Sequence, residues 1–198
     1  MKTINTYITE KLKISKNKYT LFPKYKSELE KMIENEINKN GNECDLNHID
    51  VSKITDMREL FSYELKQFNG DISQWDVSNV ETMSAMFSRS YFNGDISGWD
   101  VSNVKSMGWM FIGSSFNQDI ANWDVSNVEN MGGMFAHSKF NGDISRWDVS
   151  NVENMEKMFS YSIFNQDISN WQIHNKCIIN NMLFRCPILI KYKPKFNS

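Results

Sequence analysis

FNGDISQWDVSNVETMSAMFSRSY, residues 68–91, is repeated with little change at 92–115, 116–139 and 140–163. Phe68, Phe92, Phe116, Phe140 and Phe164 are each 24 residues apart, and Trp75, Trp99, Trp123, Trp147 and Trp171 keep the same period. So do the Met-Phe pairs at 86–87, 110–111, 134–135 and 158–159. The unit reads FNG/QDIS/AxWDVSNVxxMxxMFxxSx. Degenerate copies flank it: one at 42–67, with two extra residues after Phe61, and one running from Phe164 to Cys186. A fixed period of this length marks a stacked repeat architecture, in which one module cannot bury its own apolar face and neighbours share a continuous core.

Within one unit the pattern predicts two elements. Trp75-Asp76-Val77 alternates apolar, polar, apolar, the signature of a short strand. Val80, Met83, Met86 and Phe87 recur as one face of a short helix, with Ser78 and Glu81 as a capping box. Asn69-Gly70 supplies a turn. The expected fold is an α/β repeat, a right-handed leucine-rich-repeat solenoid with a parallel sheet on one face and short helices on the other. Its indoles at 75, 99, 123, 147 and 171 would lie in the core with Phe92, Phe116 and Phe140.

The string DISxWDVSNVxxMxxMF resembles the BspA-type leucine-rich-repeat family, found in mycoplasma-type lipoproteins and other bacterial surface proteins. The resemblance spans residues 45–184. It implies a solenoid fold and a role in adhesion or protein recognition rather than catalysis.

Outside the repeats, residues 1–41 are expected to form a helical cap. Leu29, Met32, Ile33 and Ile37 share one face after Ser27, and Gly41 acts as a stop. Ile4, Ile8 and Leu12 suggest a second short segment. The three parts are therefore a cap at 1–41, six repeats at 42–186, and a tail or second cap at 187–198. Pro187 to Phe196 alternates apolar and basic residues, as an edge strand would.

The chain has 198 residues, 22 basic and 24 acidic side chains, and a net charge of −2. A charge so near zero argues against a nucleic-acid binder driven by bulk electrostatics. The charge is unevenly placed. Residues 1–44 carry nine lysines against six glutamates, and 185–198 carry four cations and no carboxylate, which leaves −9 on residues 45–184. A long-range partner of the body would be basic, and a partner of the ends acidic. Three cysteines with no CxxC pair point to a reducing compartment. No apolar run reaches the length of a membrane span, and the first dozen positions lack the apolar stretch of a secretory signal. The expected location is the cytoplasm or a virus or phage particle, with surface exposure as the alternative.

No catalytic constellation is present in the sequence. His48, His137 and His174 fall in separate units, without a nucleophile motif, phosphate loop or metal-ligand spacing. The chain is expected to be non-catalytic, with no cofactor and no metal. Its expected function is a protein-recognition scaffold. Alternatives are a surface or secreted adhesin, and a structural protein that stacks head to tail.

Two kinds of position are candidate binding sites. Asp76, Asp100, Asp124 and Asp148 form an outward column next to the indoles. Each can also accept its own backbone N–H two residues on, as an Asx turn. The other kind is where the copies differ. Trp109 is equivalent to Ala85, Gly133 and Lys157 and is the one tryptophan outside the periodic column. Exposed tryptophan is enriched in interface hot spots. Arg146 and Tyr161 occupy two further variable positions.

Overall fold

The computed structural model describes residues 19–195. The segment around Ile4, Ile8 and Leu12 lies outside them. Successive copies stack one on the next. Single-residue parallel bridges join Asp56 to Thr82, Thr82 to Ser106, Ser106 to Asn130, Asn130 to Asn154, and Asn154 to Ile178.

These bridges are isolated, and the described residues contain one α-helix, no extended strand and no sheet. The expected α/β leucine-rich-repeat solenoid, with a parallel sheet on one face and helices on the other, is therefore incorrect. Both elements fail for a reason visible in the backbone. An α-helix over Val80–Phe87 would need each N–H to bond four residues back. Instead Met83, Ala85, Phe87 and Arg89 donate to the carbonyls of Ser106, Gly108, Met110 and Ile112 in the next coil, at 2.7–2.9 Å. The residues between them close four-residue β-turns, Met86 N–H to the Met83 carbonyl and Ser88 N–H to that of Ala85. Ala85 and Arg89 have φ of 55° and 53°, which neither helix nor strand admits.

The Trp75 segment is also a pair of turns. Trp75 N–H bonds the Ile72 carbonyl and Val80 N–H bonds that of Val77. Here the indole replaces backbone pairing between coils. Trp75 Nε1–H donates to the Leu46 carbonyl at 3.0 Å, and Trp99, Trp123, Trp147 and Trp171 donate in the same way to Ile72, Ile96, Ile120 and Ile144. The five indoles are only 2–4% exposed. Asparagines tie the coils together at two other points. Asn93, Asn117, Asn141 and Asn165 each donate a backbone N–H to the side-chain oxygen of the asparagine one coil earlier. Asn79, Asn103, Asn127 and Asn151 each donate a side-chain N–H to a serine carbonyl of the preceding coil.

The core runs the length of the stack as parallel ring columns. Phe61, Phe87, Phe111, Phe135 and Phe159 follow one another at 5.5–5.7 Å between centroids. Phe68, Phe92, Phe116, Phe140 and Phe164 follow at 6.1–6.4 Å. Offset stacking of this kind adds to area burial.

The two ends close differently. Helix α1, Lys26–Asn40, buries Leu29 and Ile33 against the first coil and ends where Gly41, at φ +86°, returns its N–H to the Ile37 carbonyl. No side-chain cap opens it, although Ser27 with Glu30 has the spacing of a capping box; Lys24 N–H donates to the Glu28 carboxylate instead. At the other end, Tyr192 accepts the Ile168 N–H and Leu189 donates to the Asn165 side chain. The tail thus extends the phenylalanine–asparagine side of the stack by a further half-coil, with Ile188 buried.

Candidate functional site

Each Met-x-x-Met-Phe segment carries two left-handed residues, one just before its second Met and one two residues after its Phe. One column holds Glu59, Ala85, Trp109, Gly133, Lys157 and Asn181, and the other Tyr63, Arg89, Gly113, His137, Tyr161 and Arg185. Inward neighbours Met, Met and Phe are fully buried, so these residues form the outer face of the same turns. Here the copies differ most, and the differences are complementary between neighbours. A Cβ on Gly133 would meet the Trp109 ring at 2.3 Å, so the indole lies directly over the Gly133 backbone. A Cβ on Gly113 would sit 3.4 Å from Arg89 Cγ, so the arginine stem lies over that glycine. His137 stacks on Tyr161 at 4.8 Å, Tyr161 meets Phe184 edge-on at 5.4 Å, and the Arg185 guanidinium lies over the Tyr161 ring at 5.3 Å.

Two open grooves result. One, about 460 Å³, runs among Glu59, Tyr63, Lys66, Arg89, Trp109 and Ile112. The other, about 390 Å³, is walled by Trp109, Ile112, His137, Lys157, Tyr161 and Phe184. Trp109 and Ile112 are the ridge between them. Trp109 remains 43% exposed although its other side rests on Gly133. The cations lining the two grooves are Lys66, Arg89 and Lys157; Lys157 is paired with Glu156 at 3.0 Å.

Of the residues singled out in the sequence, Trp109 and Tyr161 share a groove. Asp76, Asp100, Asp124, Asp148 and Arg146 line neither one. The aspartates are exposed, but one oxygen of each is already used locally. Asp76 Oδ1 accepts Ser78 N–H at 3.2 Å and its hydroxyl at 2.6 Å, and Asp100 and Asp124 repeat this with Ser102 and Ser126. Asp148 accepts Ser150 N–H at 3.0 Å. The serine hydroxyls and then the backbone N–H groups hold Asp100 and Asp148 below the ordinary aspartate value. The turn aspartates Asp95, Asp143 and Asp167 are lowered by the N–H and then the hydroxyl of the serine two residues on.

The sequence reading missed Ile112, Phe184 and Arg185. Gly133, already recognisable as the small equivalent of Trp109, is where the indole comes to rest. Among the described residues no group of three or more His, Cys, Asp or Glu is placed to hold a metal ion. No helix among them is long and apolar enough to cross a membrane.

No curated protein and no solved structure matches the chain. A family model described as a Mycoplasma protein of unknown function, DUF285, matches residues 27–138 and again 92–191. Those two matches span the helix and every stacked coil, and the chain belongs to the DUF285 repeat family.

Proposed function

We propose that the chain is a non-catalytic protein-recognition module whose partner docks along the two grooves joined at Trp109. The observation that carries this reading is the placement of the differences between copies. Asp, Asn, Trp, Met and Phe repeat because every coil needs them to stack. The bulky, variable Tyr63, Arg89, Trp109, Ile112, His137, Tyr161 and Phe184 gather on one side, where stacking requires no particular residue. Aromatic and arginine side chains there have the composition of interface centres. The separation of His48, His137 and His174 into different coils supports a binding role over catalysis. The resemblance of the DISxWDVSNV string to BspA-type repeats of surface proteins, implicated in adhesion, supports recognition as well.

The test is affinity capture with the full chain beside its Trp109→Ala and Tyr161→Ala variants, each verified as folded by circular dichroism. A protein retained by the parent and lost with both variants is the expected result. Partners held equally by all three would refute the groove as the docking surface. Fractionation of the source cells then separates an internal module from an adhesin, which would be recovered at the cell surface or in the medium.

A further inference from the structure

Among the described residues the hydrogen-bond ladder of the stack is unsaturated on one side of its last coil. In each of four successive coils, four alternate residues donate N–H groups to the next coil. The last such set is Met155, Lys157, Phe159 and Tyr161, donating to Ile178, Asn180, Met182 and Phe184. The equivalent donors of the final coil are Ile179, Asn181, Leu183 and Arg185. None of these four N–H groups meets a backbone carbonyl among the described residues. The tail does not cover them, because residues 188–192 pair only on the phenylalanine–asparagine side.

The terminal coil nevertheless keeps the shape of a paired one. Asn181 and Arg185 hold φ of 57° and 54°, and Met182, Phe184 and Cys186 close the usual four-residue turns, as in the paired coils. The four N–H groups are the equivalents of the donors of the paired coils and line this edge with the positive ends of their dipoles. The side chains add to that field. Residues 168–195 hold five lysines and arginines and no carboxylate, on a repeat body of net charge −9. Glu153 of the preceding coil shares a shallow pocket with Lys176, Asp167 acts on Lys191, and Glu156 is paired with Lys157, which leaves Arg185 without a carboxylate partner among the described residues. Ile178 and Phe184 flank the edge at 48% and 45% exposure.

We infer that the edge formed by residues 179–185 docks an acidic segment of a partner protein, which presents oxygens at alternate residues to these four N–H groups and acidic side chains to Lys176 and Arg185. Backbone addition to an open edge supplies affinity, and the flanking side chains supply selectivity. Two other occupants fit less well. Residues 1–18 of this chain carry five lysines and one glutamate, the wrong charge. A second copy would have to offer its first coil, but α1 packs over that end, with Leu29 and Ile33 wholly buried. Asn181 and Phe184 also line the second groove, but Lys176 and Arg185 line neither, so variants at Lys176 and Arg185 and variants at Trp109 test the two readings separately.

The experiment titrates the full chain with a capped octapeptide alternating aspartate and valine, and with its lysine–valine counterpart, following amide exchange by NMR. The acidic peptide is expected to bind and to slow exchange at Ile179, Asn181, Leu183 and Arg185, while the lysine peptide does not. A Lys176→Glu, Arg185→Glu variant should weaken binding on the order of tenfold or more, and the same reversal at exposed Lys53 in the first coil should leave it unchanged. Binding without protection of those four amides, equal binding of the lysine peptide, or concentration-dependent self-association that protects the same amides would each overturn the assignment.

Discussion

At the scale of single residues, the repeat indoles do two jobs at once. Each fills the core and replaces a backbone hydrogen bond between coils. Trp123→Ala should therefore cost about 3–5 kcal/mol as a core deletion. Trp123→Phe restores most of the ring but leaves the Ile96 carbonyl without its donor, at a cost of about 1–3 kcal/mol. Denaturant melts of the two variants would rank them in that order, and a near-neutral Trp123→Ala would refute the coupling of the coils through the indole. Trp109 behaves differently because it rests on the outside. Trp109→Ala should shift stability by about 1 kcal/mol. Gly133→Ala should be markedly worse, since the new methyl meets the Trp109 ring. In the Trp109→Ala background the same glycine change should become mild, since Ala85 holds the equivalent conformation in another coil. A double-mutant cycle reads that coupling directly. Additive costs would mean that the indole does not press on Gly133.

At the scale of elements, the period and the inward columns were legible in the sequence, and the identity of the elements was not. Val80, Met83, Met86 and Phe87 have helical spacing, yet successive β-turns closed between residues i and i+3 also return every third side chain to the same side. Local pattern does not separate the two conformations. The deciding bonds join residues 23 positions apart, from Phe87 to Met110 for example, and no window of local sequence contains both partners. The strand expected at Trp75–Val77 failed for a related reason: alternation reports which side chains are buried, not whether the backbone pairs. Helix α1 was readable from its apolar face and Gly41, because its bonds are local. Ile33→Ala should cost about 2–5 kcal/mol, since Ile33 is wholly buried against the first coil. Amide exchange would show the first coil opening before the middle of the stack if α1 is its cap.

At the scale of the whole molecule, the recurring aspartates link stability to pH. Asp71, Asp95, Asp100, Asp143, Asp148 and Asp167 are all held below the ordinary aspartate value of 3.8 by N–H and hydroxyl groups of nearby serines. A carboxylate lowered in the folded state stabilises that state fully above its unfolded value, and the contribution disappears as pH falls through the lowered one. The melting temperature should therefore be flat with respect to these groups above about pH 5 and drop below about pH 4. Replacing Asp100 and Asp148 by asparagine keeps an acceptor for the Asx turn and removes the titration. A double variant whose acid limb is as steep as that of the parent would locate the linkage elsewhere.

The amino-acid order alone set the 24-residue period, the buried aromatic and methionine columns, the acidic body with basic ends, and the positions at which copies diverge. These follow from which side chains water excludes, a property each residue carries with it. Only the tertiary structure decided the backbone path, the grooves on either side of Trp109, and the edge at 179–185 whose N–H groups meet no backbone carbonyl among the described residues. Backbone N–H groups are alike in every residue, so their partners are chosen by how neighbouring coils settle against each other.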